Sequence, residues 1–417
     1  MVSYSEEEVM EFIEDNDVKF IRLAFCDIFG RQKNISIMPG EMRKAFDTGV
    51  SFNSFLVLGY DDPDHQDLFL KPDPSTLNIL PWRPQQGRVI RFFCDIVNAD
   101  GEPYLYDSRK FLKDTMKECK EMGFTVRLGL RSEFYLFKTD EEGNPTDTPM
   151  DNGGYFDIAP LDKCENIRRE ICLTLEEMGI QPESSHHENG PGQNEIDFRT
   201  SDAMSTADHY ITYQHVVGAI ASRFGVHASF EPKPIKGESG NGLHMKISTY
   251  KGGVNIEDVD PEFTASFMAG VFNRMRDITL FLNTRKVSYD RFGENEAPKY
   301  ITWSTQNMSR LIRVPVIRGK KPYFVLRSPD AGINPYLAFA MIIQAGLAGV
   351  RNEEVLPPPV DKKLAEVPEE VRNSYGMLPL SLQEAVNCAK QSEFLQQDNL
   401  KDISARFIKL VEENELA

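Results

Sequence analysis

The sequence predicts an α+β fold, on three observations. Stretches alternating apolar and polar residues are interspersed with stretches of helical period, and no regular strand–helix alternation joins them. Capping boxes and Gly or Pro signals punctuate the segments. No internal repeat or low-complexity tract runs through the 417 residues, which are enough for two or three domains around a substantial core.

The elements follow in order. Ser5 and Glu8 form a capping-box pattern that starts a helix reaching about Asp15. Lys19 to Asp27 alternates as a strand, with Phe20, Arg22, Ala24 and Cys26 on one face and Ile21, Leu23 and Phe25 on the other. Phe29-Gly30-Arg31 is a turn, and Asn34 to Met38 a second strand. Asp61 to Pro74, rich in Asp and Pro, reads as a loop. Leu77–Leu80 and Val89–Val97 are strands, and Asp100-Gly101 is the turn at which we place a domain boundary, giving domains 1–98 and 99–417. A helix runs from Ser108 to Met122, then a strand over 125–137. Asp140 to Gly154 reads as a polar loop. A helix carries Cys164, Ile167, Ile171, Leu175 and Met178 on one side; another covers about 206–223. Val226 to Thr249 reads as strand, Gly-rich loop, strand. Asp260-Pro261 starts one long helix to about Leu282. Short strands occupy 300–328. Asn334-Pro335 caps an apolar core helix, Ser381 and Glu384 form another capping box, and an amphipathic helix covers Asn399 to Glu413.

Composition narrows the function. The net charge of −17, from 64 acidic and 47 basic residues, argues against general nucleic-acid binding. The six cysteines are scattered without a CxxC pair, as buried thiols of a reducing compartment would be. The acidic N-terminus is unlike a signal peptide, and no apolar run reaches membrane-helix length. These features predict a cytoplasmic protein with no membrane association.

One stretch concentrates chemistry. Glu183 to Arg199 holds His186, His187, Glu188, Glu195 and Asp197 around a Gly190-Pro191-Gly192 turn. If its flanks are strands, the turn folds Glu188 back toward Glu195. Carboxylates held close repel unless a cation or proton lies between them, so this is half of a divalent-metal site suited to Mg²⁺ or Mn²⁺, or else a polar surface hairpin. Glu133 lies mid-strand, and Arg131 on the same face is its expected salt-bridge partner. His244 follows a Gly-rich loop, where a lone histidine is by itself more often structural. Arg291, Arg310, Arg313 and Arg327 read either as an anion site or as surface arginines, and Arg291 precedes a loop carrying Glu296.

Together these motifs resemble the glutamine synthetase family, as a divergent type I-like member, over nearly the whole chain. The matches are Cys94-Asp95-Ile96 with Asp100-Gly101 and Arg109; Gly154-Tyr155-Phe156-Asp157; His186-His187-Glu188 with Gly192-Gln193-Asn194-Glu195; Pro232-Lys233-Pro234 with Gly242-Leu243-His244; Glu296-Ala297-Pro298 with Trp303-Ser304; and Arg327 to Asp330 with Asn334 to Leu337. The resemblance implies an N-terminal β-grasp domain and a larger catalytic domain with a curved antiparallel sheet flanked by helices. It implies a homo-oligomer, a hexameric ring or stacked hexamers, with active sites between subunits. The implied reaction uses ATP and a divalent ion to join the side-chain carboxylate of glutamate, or a similar acid, to ammonia or an amine. By motif, Glu133, Glu188 and Glu195 match ligands of the first metal and His244 a ligand of the second. Gly240, Arg291 and Arg327 match substrate-binding positions. Glu183, Ser248 and Arg313 match nucleotide contacts, and Glu296 matches the flap carboxylate.

The departures fall in the chemistry. The family's Gly-x-Glu-x-Glu-Phe is Gly129-Leu130-Arg131-Ser132-Glu133-Phe134, and its Arg-x-Glu-x-Arg is Tyr323-Phe324-Val325-Leu326-Arg327. Two second-metal ligands are thus an arginine and a valine. Asn53 replaces the aspartate that handles ammonium, Met308 replaces an arginine, and Lys246 the second histidine of His-x-His. A second site with two carboxylates and one ion is neutral; Arg131 with Val325 leaves one positive charge without any ion. The reading that follows is an ATP-dependent ligase with an altered nucleophile. The alternative is a catalytically impaired relative with a regulatory or structural role, or a single-metal reaction without ATP.

Overall fold

The computed structural model describes residues 4–60, 67–83 and 86–416. Residues 18–97 supply a first sheet: β1 (Val18–Cys26), β2 (Gln32–Ile37), β3 (Val50–Asn53), β4 (Asp67–Pro72), β5 (Asn78–Ile79) and β6 (Arg88–Val97). Its order is β2-β1-β6-β4-β3, with β5 also on β6. The alternation in β1 is used on both faces. Ile21, Leu23 and Phe25 fill a core private to this sheet, while Ala24 and Cys26 enter the larger core of the rest of the chain. The capping box at Ser5 and Glu8 forms reciprocally and starts the helix Glu6–Asp15.

The loop expected over Asp61–Pro74 is corrected. Residues 61–66 lie outside the described residues, and the rest is mostly β4. Leu68 and Leu70 are buried opposite Phe52 and Val50, and that cross-strand packing overrides the Asp and Pro content.

The second, curved sheet holds β7 (Thr125–Thr139), β8 (Pro145–Pro149), β9 (Pro182–His187), β10 (Gln193–Phe198), β11 (Ser201–Asp202), β12 (Val226–Ser229), β13 (Leu243–Lys251), β14 (Val254–Asn255), β15 (Trp303–Ser304), β16 (Ile312–Arg313) and β17 (Phe324–Leu326). Its main order is β15-β16-β17-β13-β7-β10-β9, antiparallel except for β15 with β16. The long strand β7 is the hub, pairing with β8, β10, β11, β12 and β13. The short β8 was not foreseen in the polar stretch 140–154.

Helices cover this sheet. Pro335–Arg351 is buried almost throughout, as its apolar run predicts, and Asn334 caps it by accepting from the amides of Tyr336 and Leu337. The single helix expected over 261–282 is corrected to two, Pro261–Asn273 and Met275–Leu282. Arg274 at the break donates back to the carbonyl of Gly270 (3.2 Å) and pairs with Glu354 (2.6 Å). Gly270 and Gly349 let the helices Pro261–Asn273 and Pro335–Arg351 touch, since a Cβ on Gly270 would lie 2.7 Å from the Gly349 Cα. Buried Arg109 ties the first sheet to the helix Ala203–Arg223 through Asp73 (3.0 Å), Asp95 (2.8 Å) and Asp208 (2.9 Å). The observed class is α+β, as expected. Among the described residues no helix is long and apolar enough to cross a membrane, and all six cysteines are free thiols.

Candidate active site

The stretch 183–199 folds as the hairpin β9–β10. Glu188 donates its amide to the Gln193 carbonyl (2.9 Å), and Gln193 donates to Gly190 (3.0 Å). Gly192 takes φ 70°, and Gly190 lies against the Tyr135 hydroxyl where any Cβ would collide. Glu195 in β10 stands opposite His186 in β9 and opposite Glu133 in β7. Three carboxylates, Glu133, Glu188 and Glu195, therefore converge on one face. All are buried, Glu195 to 2% exposure.

A buried pair fixes the turn. His187 Nε2 lies 2.9 Å from Asp151 Oδ1 and its Nδ1 2.6 Å from the Glu188 carbonyl. Both ring nitrogens face acceptors, which only the imidazolium satisfies. Burial opposes that charge, but the hydrogen bonds to Asp151 and to the Glu188 carbonyl, together with the charges of Asp151 and Asp162, outweigh it and raise the His187 pKa. Asp151 also accepts from the Gly192 amide (2.8 Å), so His187 and Asp151 together hold the chain that carries Glu188.

Arg131 does not pair with Glu133, as we expected from their shared strand face. Its direct cross-strand partner in β10 is Asp197, and Nε donates to both oxygens of that carboxylate at 3.0 Å. Nη2 lies 3.0 Å from Glu195 Oε1. The register delivers the guanidinium sideways to the neighbouring strand instead of along its own. Glu133 is satisfied differently, accepting from the Gly242 amide (2.7 Å) and from Gln193 Nε2 (3.4 Å).

The opposite wall is cationic. Arg291 and Arg327 are 4% and 5% exposed, and Arg327 Nη2 lies 3.6 Å from Glu296 on the rim. A Cβ on Gly242 would stand 3.1 Å from Arg291, 3.2 Å from His244 Nε2 and 3.5 Å from Glu133, so only glycine leaves that space free. A Cβ on Gly240 would lie 2.6 Å from the Arg291 side chain. Asn295 and Glu296 take positive φ (44° and 69°), holding the rim loop in a conformation that most side chains avoid. These groups enclose a cavity of about 320 Å³.

The donors suit a divalent ion. Ligand atoms of Glu133, Glu195 and His244 lie within 4.8 Å of one another, as do those of His186, Glu188 and Glu195. Burial first, and then neighbouring carboxylates, push the Glu133 and Glu195 carboxyls above their usual range, despite the arginines nearby. Glu195 Oε1 and His244 Nδ1 are buried without a hydrogen bond. Burial, reinforced by Arg327, Arg131 and Arg291, holds His244 neutral, the form that binds metals. The third such group, Asp151, Asp162 and His187, is instead taken up by internal hydrogen bonds and the Arg168–Asp162 pair (2.5 Å).

Eight of the eleven expected site residues line this cavity: Glu133, Glu188, Glu195, Gly240, His244, Arg291, Glu296 and Arg327. The expected nucleotide contacts Glu183, Ser248 and Arg313 lie on the same sheet outside it. Glu183 pairs with Lys246 (2.7 Å), and Lys246 and Arg313 both stand opposite Val325. Arg310 is not at the surface: it is fully buried and donates to the carbonyls of Val360 and Lys362. Asp151 was not singled out, and Asp197, though part of the stretch 183–199, was given no role. For Asp197 the signal existed, since two residues from Glu195 in a strand means the same face.

Comparison with known proteins agrees with this arrangement. The family model "Glutamine synthetase, beta-Grasp domain" matches residues 17–99, and "Glutamine synthetase, catalytic domain" matches 105–417. A glutamine synthetase of Clostridium saccharobutylicum is 42% identical over 402 residues, covering 94% of this chain and 91% of the relative. One of Methanosarcina mazei is 41% identical, covering 94% and 90%. A solved GmaS–ADP complex superposes with a TM-score of 0.88 at 26% identity, covering 97% of this chain and 94% of that one. Matches over nearly its full length place this chain in the glutamine synthetase family.

Proposed function

We propose that the protein is an ATP-dependent ligase that joins the side-chain carboxylate of glutamate, or of a similar acid, to ammonia or an amine. One observation carries this reading. Three buried carboxylates face two buried arginines across a single cavity whose rim carries Glu296. The names of the relatives support it, as does the ADP held by GmaS. They lend nothing to the alternative of an impaired relative.

In this reading Arg291 and Arg327 hold anionic groups of the acid and of the transferring phosphoryl. Gly240 and Gly242 keep room for the substrate. The acid's carboxylate oxygen displaces ADP from the γ-phosphorus of ATP. The amine nitrogen then displaces phosphate from the acyl carbon and loses a proton. Glu296, on its loop, closes over the acyl phosphate and excludes water. Glu133, Glu188 and Glu195 would hold a divalent ion, Mg²⁺ or Mn²⁺, which would supply Lewis-acid stabilisation of the transferring phosphoryl group. Arg131 contributes a fixed positive charge on the side where Val325 leaves no ligand, so one ion serves where two carboxylates and a second ion would otherwise be needed. Glu183, Ser248 and Arg313 contact the nucleotide.

We also divide the chain at 98/99 and read the protein as a cytoplasmic homo-oligomer, a hexameric ring or stacked hexamers. Phe55 and Leu56, 59% and 81% exposed beside Asn53, are apolar surface that a neighbouring subunit would cover. Native mass spectrometry is expected to give a multiple of six chains; a monomer contradicts it.

ADP release is followed with ATP, Mg²⁺ or Mn²⁺, glutamate and a panel of amines. The expected result is an amide product whose formation falls about 10²-fold or more in Glu296→Ala, as when one group acting on the transition state is removed. No turnover with any amine, together with no ATP binding by calorimetry, sinks the ligase reading.

A further inference from the structure

His186 is not among the metal positions that the family resemblance supplies, yet the fold aims it at them. It stands in β9 directly opposite Glu195. Its Nε2 lies 3.1 Å from Glu188 Oε1 and 3.6 Å from Glu195 Oε1. Two ligands bound at about 2.1 Å and at right angles are separated by about 3.0 Å, and by about 3.4 Å in tetrahedral geometry. The 3.1 Å contact is a hydrogen bond here and equals the separation of two right-angle ligands, 3.6 Å lies just beyond the tetrahedral value, and the ligand atoms of His186, Glu188 and Glu195 all lie within 4.8 Å of one another. The ring cannot swing freely. Phe156 packs edge-on against it (centroids 4.7 Å, 69°), and Tyr155 does the same (5.6 Å, 90°). Phe156 itself is held at φ 62°, a conformation that aromatic residues rarely adopt, by donating its amide to the His187 carbonyl (3.0 Å). Glu195 Oε1, at the centre of the group, is buried and accepts no hydrogen bond among the described residues; the Arg131 guanidinium and this imidazole lie 3.0 Å and 3.6 Å from it.

Resting on the ligase reading of this site, we propose that His186 Nε2 is a further protein ligand of its divalent ion, beside Glu188 and Glu195. The consequence is selectivity. Three carboxylates form an all-oxygen set that suits Mg²⁺, whereas an imidazole in the set favours borderline transition ions such as Mn²⁺ over Mg²⁺. Arg131 completes the arrangement from behind, hydrogen-bonded to Asp197 and ion-paired with Glu195 Oε1 (3.0 Å), which orients Glu195.

The test is pulsed electron paramagnetic resonance of the intact protein loaded with one equivalent of Mn²⁺. A directly coordinated ¹⁴N coupling is expected, replaced by a ¹⁵N coupling after labelling with ¹⁵N-histidine. It is expected to vanish in His186→Asn and to persist in His244→Asn. Mn²⁺ affinity should fall at least about tenfold in His186→Asn while Mg²⁺ affinity changes less than about twofold. Mn²⁺ bound to wild type without histidine coupling overturns the inference, and so does a coupling lost only in His244→Asn. If wild type still forms amide in either case, the ligase reading stands without it. Failure to bind Mn²⁺ at all overturns both the inference and the metal part of that reading.

Discussion

Replacing Arg131 by alanine is expected to destabilise the protein by about 3 kcal/mol and to lower amide formation by about 10²-fold or more. Among the described residues Arg131 is the one cation paired with both Asp197 and Glu195, which are 6% and 2% exposed. Without the guanidinium, Asp197 keeps its burial and loses a two-oxygen hydrogen-bonded partner. Breaking a buried pair from one side costs about 3–5 kcal/mol, and Arg131, whose side chain is 29% exposed, belongs near the lower end. Adding Mn²⁺ is expected to raise the stability of wild type and variant alike, because a cation that binds only the folded state stabilises it. Arg131→Lys should not rescue, since an ammonium cannot span Asp197 and Glu195 in the planar fork that Arg131 uses. Thermal denaturation with and without Mn²⁺ measures the first effect, and ADP release the second. Unchanged stability and turnover in Arg131→Ala would make Arg131 a spectator of the site.

Much of this site was readable in the chain because its chemistry is local. The Gly-Pro-Gly turn and the period-two flanks bring Glu188 toward Glu195 without any long-range information. The partner of Arg131 was not readable in that way. Sequence proximity pointed to Glu133, whereas the register between β7 and β10, set over more than sixty residues of separation, delivered Asp197. The Asp–Pro content around 67–72 spoke for a loop until the burial of Leu68 and Leu70 against β3 made it a strand. The break at Arg274 depends on Glu354, which approaches from a different helix end and leaves no trace in the local pattern. The nucleotide positions on β9, β13 and β16 came only with the family resemblance, since Glu183, Ser248 and Arg313 share no local motif.

The departures from the family concentrate around one substitution pattern. In the proposed reading, Arg131 and Val325 stand where the family resemblance implies two ligands of a second ion, and Arg131 places a permanent charge beside Glu195. His244 is left facing Arg131, Arg291 and Arg327, an electropositive setting that disfavours a second cation. The account therefore depends on a single divalent ion per chain.

That claim is tested by the stoichiometry of Mn²⁺ binding, measured by calorimetry and by electron paramagnetic resonance of free ion, on wild type and on Arg131→Glu/Val325→Glu. The double substitution replaces one positive charge with two negative ones next to His244, which restores a neutral two-carboxylate site once an ion enters. The account predicts one Mn²⁺ per chain in wild type and two in the variant. Two equivalents per chain in wild type would contradict it.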